Sequence, residues 1–295
     1  MEQIETIGAT EQRELTRIRI SVRNLVEFIF RSGDIDNRIG KGAQKEAMQE
    51  GSRMHRKIQG RMGMEYRAEV PLKLEVPQEQ YVLALEGRAD GIITNADGVT
   101  VDEIKCMYTD VTRFEHKAQA MCYAYIYALQ NGLDQISVQL TYCDLDTEEI
   151  CRFEEAFSFF WLERWFQDMM EAYRKWTDFQ FAWRKIRQTS IQTLEFPFPY
   201  REGQYKLVGD VYRTIHRKKI LFIQAPTGTG KTISALFPAI RAVGENLGDK
   251  IFYLTAKTIT RTVAKDTCDL LKAKGYRGKV IVLTAKEKMC PWVAM

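Results

Sequence analysis

Two carboxylates and a lysine lie close together in residues 84–108, ALEGRADGIITNADGVTVDEIKCMY. The turn NADG predicts a hairpin, which can bring Asp90 beside Glu103. Glu103 and Lys105 are two residues apart on a strand, so their side chains share one face. Carboxylates are rarely buried without a partner, and hard divalent cations prefer oxygen ligands. The pattern therefore favours a site for a divalent cation such as Mg²⁺, in which Lys105 positions a water molecule or stabilises a developing anion.

A second chemical signal is the glycine-rich segment APTGTGKT at residues 225–232, between the apolar run ILFIQ and a predicted helix. Glycines let successive backbone N–H groups turn toward phosphate oxygens, while the lysine and the threonine serve the terminal phosphates and Mg²⁺. The segment predicts an ATP site that also holds Mg²⁺ through Thr232. The predicted ATP-binding residues of this loop are Ala225, Thr227, Gly228, Thr229, Gly230, Lys231 and Thr232.

Charge is distributed unevenly along the chain. Residues 205–295 carry 17 Lys and Arg against 6 Asp and Glu, whereas residues 1–204 carry 26 against 33. A basic module favours a polyanionic partner such as nucleic acid or nucleotide, although a solvated basic face has the same composition. No apolar signal region or membrane-length run is present, and the cysteines form no CxxC pair. These features predict a cytoplasmic protein without a membrane partner, in which most cysteines are small core residues.

The periodicity of apolar residues predicts the elements that position these groups. Helices are expected at 12–32, 41–61, 114–131 and 153–186, and strands at 68–76, 81–94, 98–108 and 136–144. After a Pro and aromatic segment, the apolar runs 220–224, 250–256 and 279–285 alternate with helical segments. This alternation is typical of a parallel sheet with crossover helices. The fold class expected is therefore α/β.

The pattern Asp90…Glu103-Ile104-Lys105 resembles the PD-(D/E)xK nucleases, and specifically their RecB-type branch. Residues 15–145 follow the order of elements of that branch, although Ala89 stands where the motif name has proline. The resemblance implies phosphodiester hydrolysis with Mg²⁺ or Mn²⁺, in which His55, in GSRMHRKIQG, and the backbone carbonyl of Ile104 are further metal ligands. It also implies that Gln119 and Tyr123, in HKAQAMCYAY, steer the DNA strand. From the residues alone, Gln119 and Tyr123 are also consistent with a packed helix face, and His55 with a solvated position.

The regions flanking the phosphate loop resemble those of superfamily 2 helicases of the XPD/DinG type. FPFPYREGQ resembles their adenine-recognising entry, with Gln204 in the gripping position, and YLTAKTITRT resembles a segment that contacts single-stranded DNA. LTAKEKMC resembles the segment that ends in the first ligand of a [4Fe–4S] cluster, which would be Cys290. No apolar run ending in Asp-Glu follows Thr232, and the other cluster cysteines are missing. The chain is therefore expected to be the N-terminal part of a longer, 5′-to-3′ DNA helicase.

Together these resemblances imply a nuclease-like mixed sheet with flanking helices, followed by an incomplete RecA-like parallel sheet. The expected divisions are a nuclease domain at 1–185, a linker and entry segment at 186–204, and a partial ATP-binding domain at 205–295. The implied function is that of an ATP-dependent helicase and nuclease of DNA repair, acting on single-stranded or flapped DNA. The alternative is a non-catalytic DNA-binding module fused to a motor. In that case bases could stack on Trp161, Trp165, Trp176 and Trp183, although such spacing is more often that of a helix core.

Overall fold

The computed structural model describes residues 16–31, 41–107, 114–226, 228–256 and 258–289. Residues up to Asp178 belong to one compact unit, and Phe179–Lys288 form a second. The structure confirms a mixed α/β protein. Among the described residues, no helix combines the length and the apolar character that crossing a bilayer requires.

The first unit contains all six strands of one mixed sheet and the helices that flank them. In chain order the elements are β1 (Thr16–Ser21), α1 (Val22–Phe30), α2 (Lys41–Gln59), β2 (Tyr66–Pro77), β3 (Tyr81–Asn95), β4 (Gly98–Met107), α3 (Phe114–Asn131), β5 (Gln135–Asp144), β6 (Ile150–Ser158) and α4 (Phe159–Gln192). The second unit contains the end of α4 and then α5 (Gln204–His216), α6 (Lys231–Gly244), α7 (Thr258–Ala273) and α8 (Lys286–Met289).

The long strand β3 organises the sheet. Along one edge it pairs with β2, antiparallel, from Val82 to Ile93. Along the other edge it pairs first with β1, in parallel, as far as Glu86, and then with β4, antiparallel, from Gly91 onward. Strand β4 continues the sheet through parallel β5 and antiparallel β6. Between the end of β1 pairing and the start of β4 pairing, this edge of β3 has a gap at residues 87–90.

Helices cover both faces of this sheet. Met54 and Ile58 of α2 pack against Ile104 of β4 in a buried cluster with Cys143 and Leu145. Alternation along a strand places Glu103 and Lys105 on the opposite face from Ile104. Helix α3 is buried nearly all round, from Ala118 to Ala128, as expected for a helix apolar on every side. Strand β4 therefore presents Ile104 to α2 on one face and Glu103 and Lys105 on the other.

The secondary structure predicted for the first unit is largely confirmed, with two errors that have one cause. The predicted helix at 12–32 begins only at Val22, because residues 16–21 form β1 beside β3. The predicted helix at 153–186 begins at Phe159, because residues 150–158 form β6 beside β5. In both cases an apolar spacing compatible with a helix was overridden by strand pairing, with a strand far along the chain for β1 and with the preceding strand for β6.

The parallel sheet expected after residue 205 is not formed in the part of the second unit that the structure describes. The runs 220–224, 250–256 and 279–285 have no ladder partner there. Their side chains are exposed: Phe222 is 92% exposed, Leu254 88% and Leu283 80%. A strand requires backbone hydrogen bonds to a neighbouring strand, and within the described part of the unit these apolar segments belong to no sheet. The unit is held instead by helices, through a buried cluster that includes Ile191, Ile240 and Leu271.

Candidate functional site

The gap along the edge of β3 forms the centre of the candidate site. Pairing stops at Glu86 on the β1 side and resumes at Gly91 on the β4 side, so Gly87–Asp90 have no strand neighbour on that edge. The N–H of Arg88 points into the gap and donates to the hydroxyl of Tyr123, 3.3 Å away. The carboxylate of Asp90 accepts the N–H of Ile104 at 2.8 Å. Side chains therefore replace the missing ladder bonds, which leaves polar groups concentrated at one place in the sheet.

The structure brings the predicted ligands His55 and Asp90 together. Atom Nε2 of His55 lies 3.1 Å from Oδ2 of Asp90, with both side chains largely shielded from solvent. The hydrogen bond to Asp90 is the main reason that the pKa of His55 is raised, and burial opposes it. The N–H and C=O of a strand residue lie on the same side of the strand, so the Ile104 carbonyl faces the edge on which Asp90 lies.

Glu103 and Lys105 are also together, as their spacing predicted. The ammonium group of Lys105 donates to Oε1 of Glu103, while Oε2 of Glu103 is buried without a hydrogen-bond partner. Glu103 is only 1% exposed. Burial raises the pKa of Glu103 to about 7, the charge of Asp90 adds to the rise, and Lys105 and His55 oppose it. A buried carboxylate oxygen without a partner is costly, so this atom fits a ligand position for a cation.

Glu69 completes a group that the sequence did not indicate. The ligand atoms of His55, Glu69 and Asp90 all lie within 4.8 Å of one another, a spacing that one metal ion can span. In the sequence Glu69 occupies an ordinary polar position in the alternation of β2, so only the structure distinguishes it. Gln59 Nε2 donates to Glu69 at 3.1 Å and to the Asp90 carbonyl at 2.9 Å, and Arg88 pairs with Glu69 at 3.2 Å. These three residues were all missed by sequence reasoning.

The two helix residues expected to steer DNA occupy different environments. Tyr123 is 3% exposed, and its ring packs so closely on β3 that a Cβ at Gly87 would lie 2.6 Å from its hydroxyl. Burial is the main cause of its raised pKa. In this position Tyr123 supports the edge of β3. Gln119 is half-buried on the same helix.

A buried polar network fixes β4 next to the site. Asp102 is fully buried and accepts hydrogen bonds from Thr141 at 2.6 Å, from Gln139 at 3.0 Å and from Tyr66 at 3.3 Å. Burial raises the pKa of Asp102, and these donors oppose the rise. The Tyr66 ring fills the space beside Gly91, where a Cβ would lie 2.0 Å from it. The network anchors the strand that carries Glu103.

The glycine-rich loop of the second unit is a separate candidate site for a nucleotide. Gly228 and Gly230 have φ of 81° and 75°, in the left-handed region that favours glycine, and α6 begins directly afterward at Lys231. The ammonium group of Lys231 donates to the carbonyls of Ala225 at 2.7 Å and Pro226 at 2.8 Å. The Thr229 hydroxyl donates to the Pro226 carbonyl. A helix N-terminus preceded by such a loop suits phosphate oxygens.

Gln204 lies beneath this loop. It is 6% exposed, accepts the N–H of Arg201 at 3.1 Å and donates weakly to the Thr229 carbonyl at 3.4 Å. A Cβ at Gly230 would lie 2.5 Å from its amide nitrogen. Arg201, which sequence reasoning did not select, donates to the Gly228 carbonyl. The entry segment and the loop are therefore joined through Gln204 and Arg201.

The remaining predicted residues are two threonines of the glycine-rich loop and the cysteines. Thr227 and Cys290 lie outside the described residues, and Thr232 is half-buried in the first turn of α6. Cys122, Cys143 and Cys268 are buried as expected, Cys106 is half-buried, and Cys151 is exposed.

The four tryptophans are not on the buried face of α4, contrary to the preference for a core role. Trp161 is 47% and Trp176 43% exposed, and Trp165 and Trp183 are half-buried. The buried residues of that helix are Leu162, Phe166, Met169, Tyr173, Thr177 and Ile191.

The chain was compared with family models, with known sequences and with solved structures. No family model matches the chain. The probable ATP-dependent helicase MJ0942 of Methanocaldococcus jannaschii is 43% identical over 47 residues, which is 16% of this chain and 7% of that protein. The chain thus spans only a small part of that relative, and the match indicates relatedness to helicases. The crystal structure of SSO0001 superposes with a TM-score of 0.33 at 19% identity, covering 56% of this chain and 78% of the other.

Proposed function

We propose that the first unit is a metal-dependent deoxyribonuclease and that the chain is part of an ATP-dependent helicase and nuclease of DNA repair. The observation that carries the nuclease proposal is the buried, unpartnered oxygen of Glu103. Glu103 lies beside Lys105. His55 and Asp90 are close enough for their charges to shift the pKa of the Glu103 carboxyl group. A folded protein tolerates such a group where a ligand satisfies it.

The donor set fits a hard divalent cation, either Mg²⁺ or Mn²⁺. His55, Asp90, Glu103 and the Ile104 carbonyl would hold it, and adjacent ligands of a six-coordinate ion lie about 3 Å apart. The 3.1 Å between His55 Nε2 and Asp90 Oδ2 matches this separation. A bound cation would lower the pKa of a water molecule and offset the charge that develops on the phosphate.

The protein groups act around that centre. Lys105 is in contact with Glu103 and is partly exposed, so its ammonium group can orient a water molecule or accept charge from the phosphate oxygens. Arg88 is 64% exposed beside the site and can attract the DNA backbone. Tyr123 holds the edge of β3 in place through the Arg88 N–H. Gln119 remains a candidate for contact with the strand.

ATP binding by the second unit is supported by the loop geometry and by the partial similarity to a probable ATP-dependent helicase. Gly228, Gly230 and Lys231 would surround the phosphates, with Thr232 on the accompanying Mg²⁺ and Gln204 at the adenine side. Cys290 would be one ligand of a [4Fe–4S] cluster in the longer protein. The excess of basic residues after residue 205 suits a nucleic-acid partner.

A binding module without cleavage is the second candidate, because Trp161 and Trp176 are exposed and could stack on bases. Neighbouring rings already contact both of them. Phe157 lies 5.0 Å from Trp161, and Phe28 lies 5.3 Å from Trp176, between ring centroids. On this candidate the chain binds DNA in a salt-dependent manner and does not hydrolyse it.

Cleavage of labelled single-stranded and flapped DNA with Mn²⁺, with and without EDTA, tests the proposal. The matched variants are Asp90→Ala and Asp97→Ala, since Asp97 is an exposed carboxylate at the tip of the same hairpin. We expect metal-dependent cutting that Asp90→Ala abolishes and Asp97→Ala retains, with DNA binding unchanged in both. Cutting that persists in Asp90→Ala contradicts the assignment. Salt-dependent binding without any cutting supports the binding module.

A further inference from the structure

A second carboxylate lies near Asp90, on the neighbouring strand β2. Ala68 pairs with Gly91 and Val70 pairs with Ala89, so Glu69 and Asp90 lie between these two pairs on neighbouring strands, although they do not themselves form a ladder pair. Like charges at such positions destabilise a sheet. His55 of α2 lies beside both carboxylates: Nε2 is within hydrogen-bond distance of Asp90, at 3.1 Å, and Nδ1 is 3.9 Å from Glu69, an ion-pair separation that is too long for a hydrogen bond. One imidazole ring thus lies between two acids, and each acid faces a different ring nitrogen.

Glu69 is held in this place from both sides. Its φ is 56°, in the left-handed region that a glutamate adopts infrequently within a strand. Its Oε1 accepts from Gln59, and its Oε2 pairs with Arg88. Gln59 also binds the backbone carbonyl of Asp90, which links Glu69 to the strand that carries the other acid. The carboxylate is therefore fixed before any ligand enters.

The two ring nitrogens of His55 can then take different roles. A histidine that ligates a metal through one nitrogen usually donates its other N–H to a carboxylate, which fixes the tautomer and the ring orientation. Asp90 shares the Nε2 side of the ring, and Glu69 lies on the Nδ1 side. The unpartnered Oε2 of Glu103 is an independent sign that a ligand belongs on the Asp90 side.

We propose that Glu69 is a positioning residue that orients the His55 ring through Nδ1, so that Nε2 and Asp90 together face a divalent cation. This inference rests on the cation site of the proposed function. It adds an acid that holds the imidazole and does not itself ligate the metal. The donor set of one imidazole and two carboxylates suits Mn²⁺ as the occupant.

A double-mutant cycle on Mn²⁺ affinity tests this role without relying on DNA cleavage. The dissociation constant of the full chain is measured by titration with detection of free Mn²⁺, for Glu69→Ala, His55→Ala and the double variant. Glu75→Gln is the matched control, because Glu75 lies on the same strand in an exposed pair with Arg17. Circular dichroism confirms that each variant is folded, and Glu69→Gln serves as a milder substitution if Glu69→Ala unfolds.

We expect Glu69→Ala to weaken Mn²⁺ binding about 10- to 100-fold, which is the usual effect of losing such a partner. In the His55→Ala background the same substitution should change affinity by less than about threefold, since its effect passes through the ring. If Glu69→Ala weakens Mn²⁺ binding equally strongly in the His55→Ala background, the inference is overturned, because Glu69 would then act on the metal directly. Unchanged affinity in Glu69→Ala, or no Mn²⁺ binding by the unsubstituted chain, also overturns it. Coupled binding without DNA cleavage leaves the inference standing and contradicts the proposed nuclease activity.

Discussion

Replacing Lys105 with Met should destabilise the first unit by an amount that increases with pH. Met retains most of the length and apolar character of the lysine stem and removes its charge. Glu103 is buried and its pKa is about 7 while Lys105 is present, against 4.5 for an ordinary glutamate. Without Lys105 the pKa of Glu103 rises further, because burial is no longer opposed by the neighbouring ammonium group.

The direction and size of this pH-dependent loss of stability follow from the difference between the pKa of Glu103 in the folded chain and in the unfolded chain. Between pH 4.5 and 7 the native state keeps a proton on Glu103 that the unfolded chain releases, so stability falls as the pH rises through this window. In Lys105→Met the window extends to higher pH. Near pH 7 part of Glu103 is already protonated in the unsubstituted chain, so the loss from this source is small. Above pH 7 the loss grows by about 1.4 kcal/mol per pH unit, to roughly 3 kcal/mol at pH 9, if the new pKa exceeds 9.

Urea unfolding of the metal-free protein in EDTA, at intervals from pH 6 to pH 9, measures this difference. The matched control is Lys117→Met, because Lys117 pairs with Glu155, which is 56% exposed, and no buried carboxylate depends on it. We expect the free energy of unfolding of Lys105→Met to diverge from that of the unsubstituted chain above pH 7, and that of Lys117→Met to run parallel to it. A difference that stays constant across this range would refute the coupling of Lys105 to a buried Glu103.

Three further predictions concern packing, the nucleotide loop and the metal. Gly91→Ala should cost about 1–3 kcal/mol in urea unfolding, because its Cβ would lie 2.0 Å from the Tyr66 ring, whereas Gly63→Ala has open space and should be tolerated. Gly230→Ala should weaken ATP binding at least tenfold in a fluorescent-nucleotide assay, because the φ of Gly230 is 75° and its new Cβ would clash with Gln204. Gly248→Ala is the control, and equal ATP binding by the two variants would contradict this prediction. Cleavage should be faster with Mn²⁺ than with Mg²⁺ at equal concentration and should return when Mn²⁺ is restored after EDTA, because Mn²⁺ accepts an imidazole ligand more readily.

Much of the first unit was predictable because its signals are local. The turn at 95–98 and the alternation on each side of it predicted β3 and β4, and the structure pairs Asn95 with Gly98 as expected. Helix α3 runs from Phe114 to Asn131, as its composition indicated. In contrast, β1 depends on a partner about 65 residues away, so no local window contains its register. Strand β6 pairs with the preceding strand β5, but its apolar spacing also fits a helix.

Some residues of the candidate site could likewise be predicted from local spacing, and others could not. The types and spacing of Asp90, Glu103 and Lys105 already indicated the chemistry, because a two-residue spacing on a strand fixes a common face. Glu69 could not be identified from the sequence, because its residue type and spacing are ordinary for a strand. Its importance arises from a register that sets it near Asp90 and from a helix that places His55 between them.

The sequence by itself determined the α/β class, the hairpin that carries the acids, and the glycine-rich loop before α6, because each depends on neighbours within a few residues. Only the tertiary structure decided which groups are buried and which meet. The gap in the edge of β3 brings Tyr123 to Arg88 and Asp90 to Ile104, and burial by distant elements raises the pKa of Glu103. Burial and strand register depend on contacts between elements that are far apart in the chain, so a local stretch of sequence does not determine them.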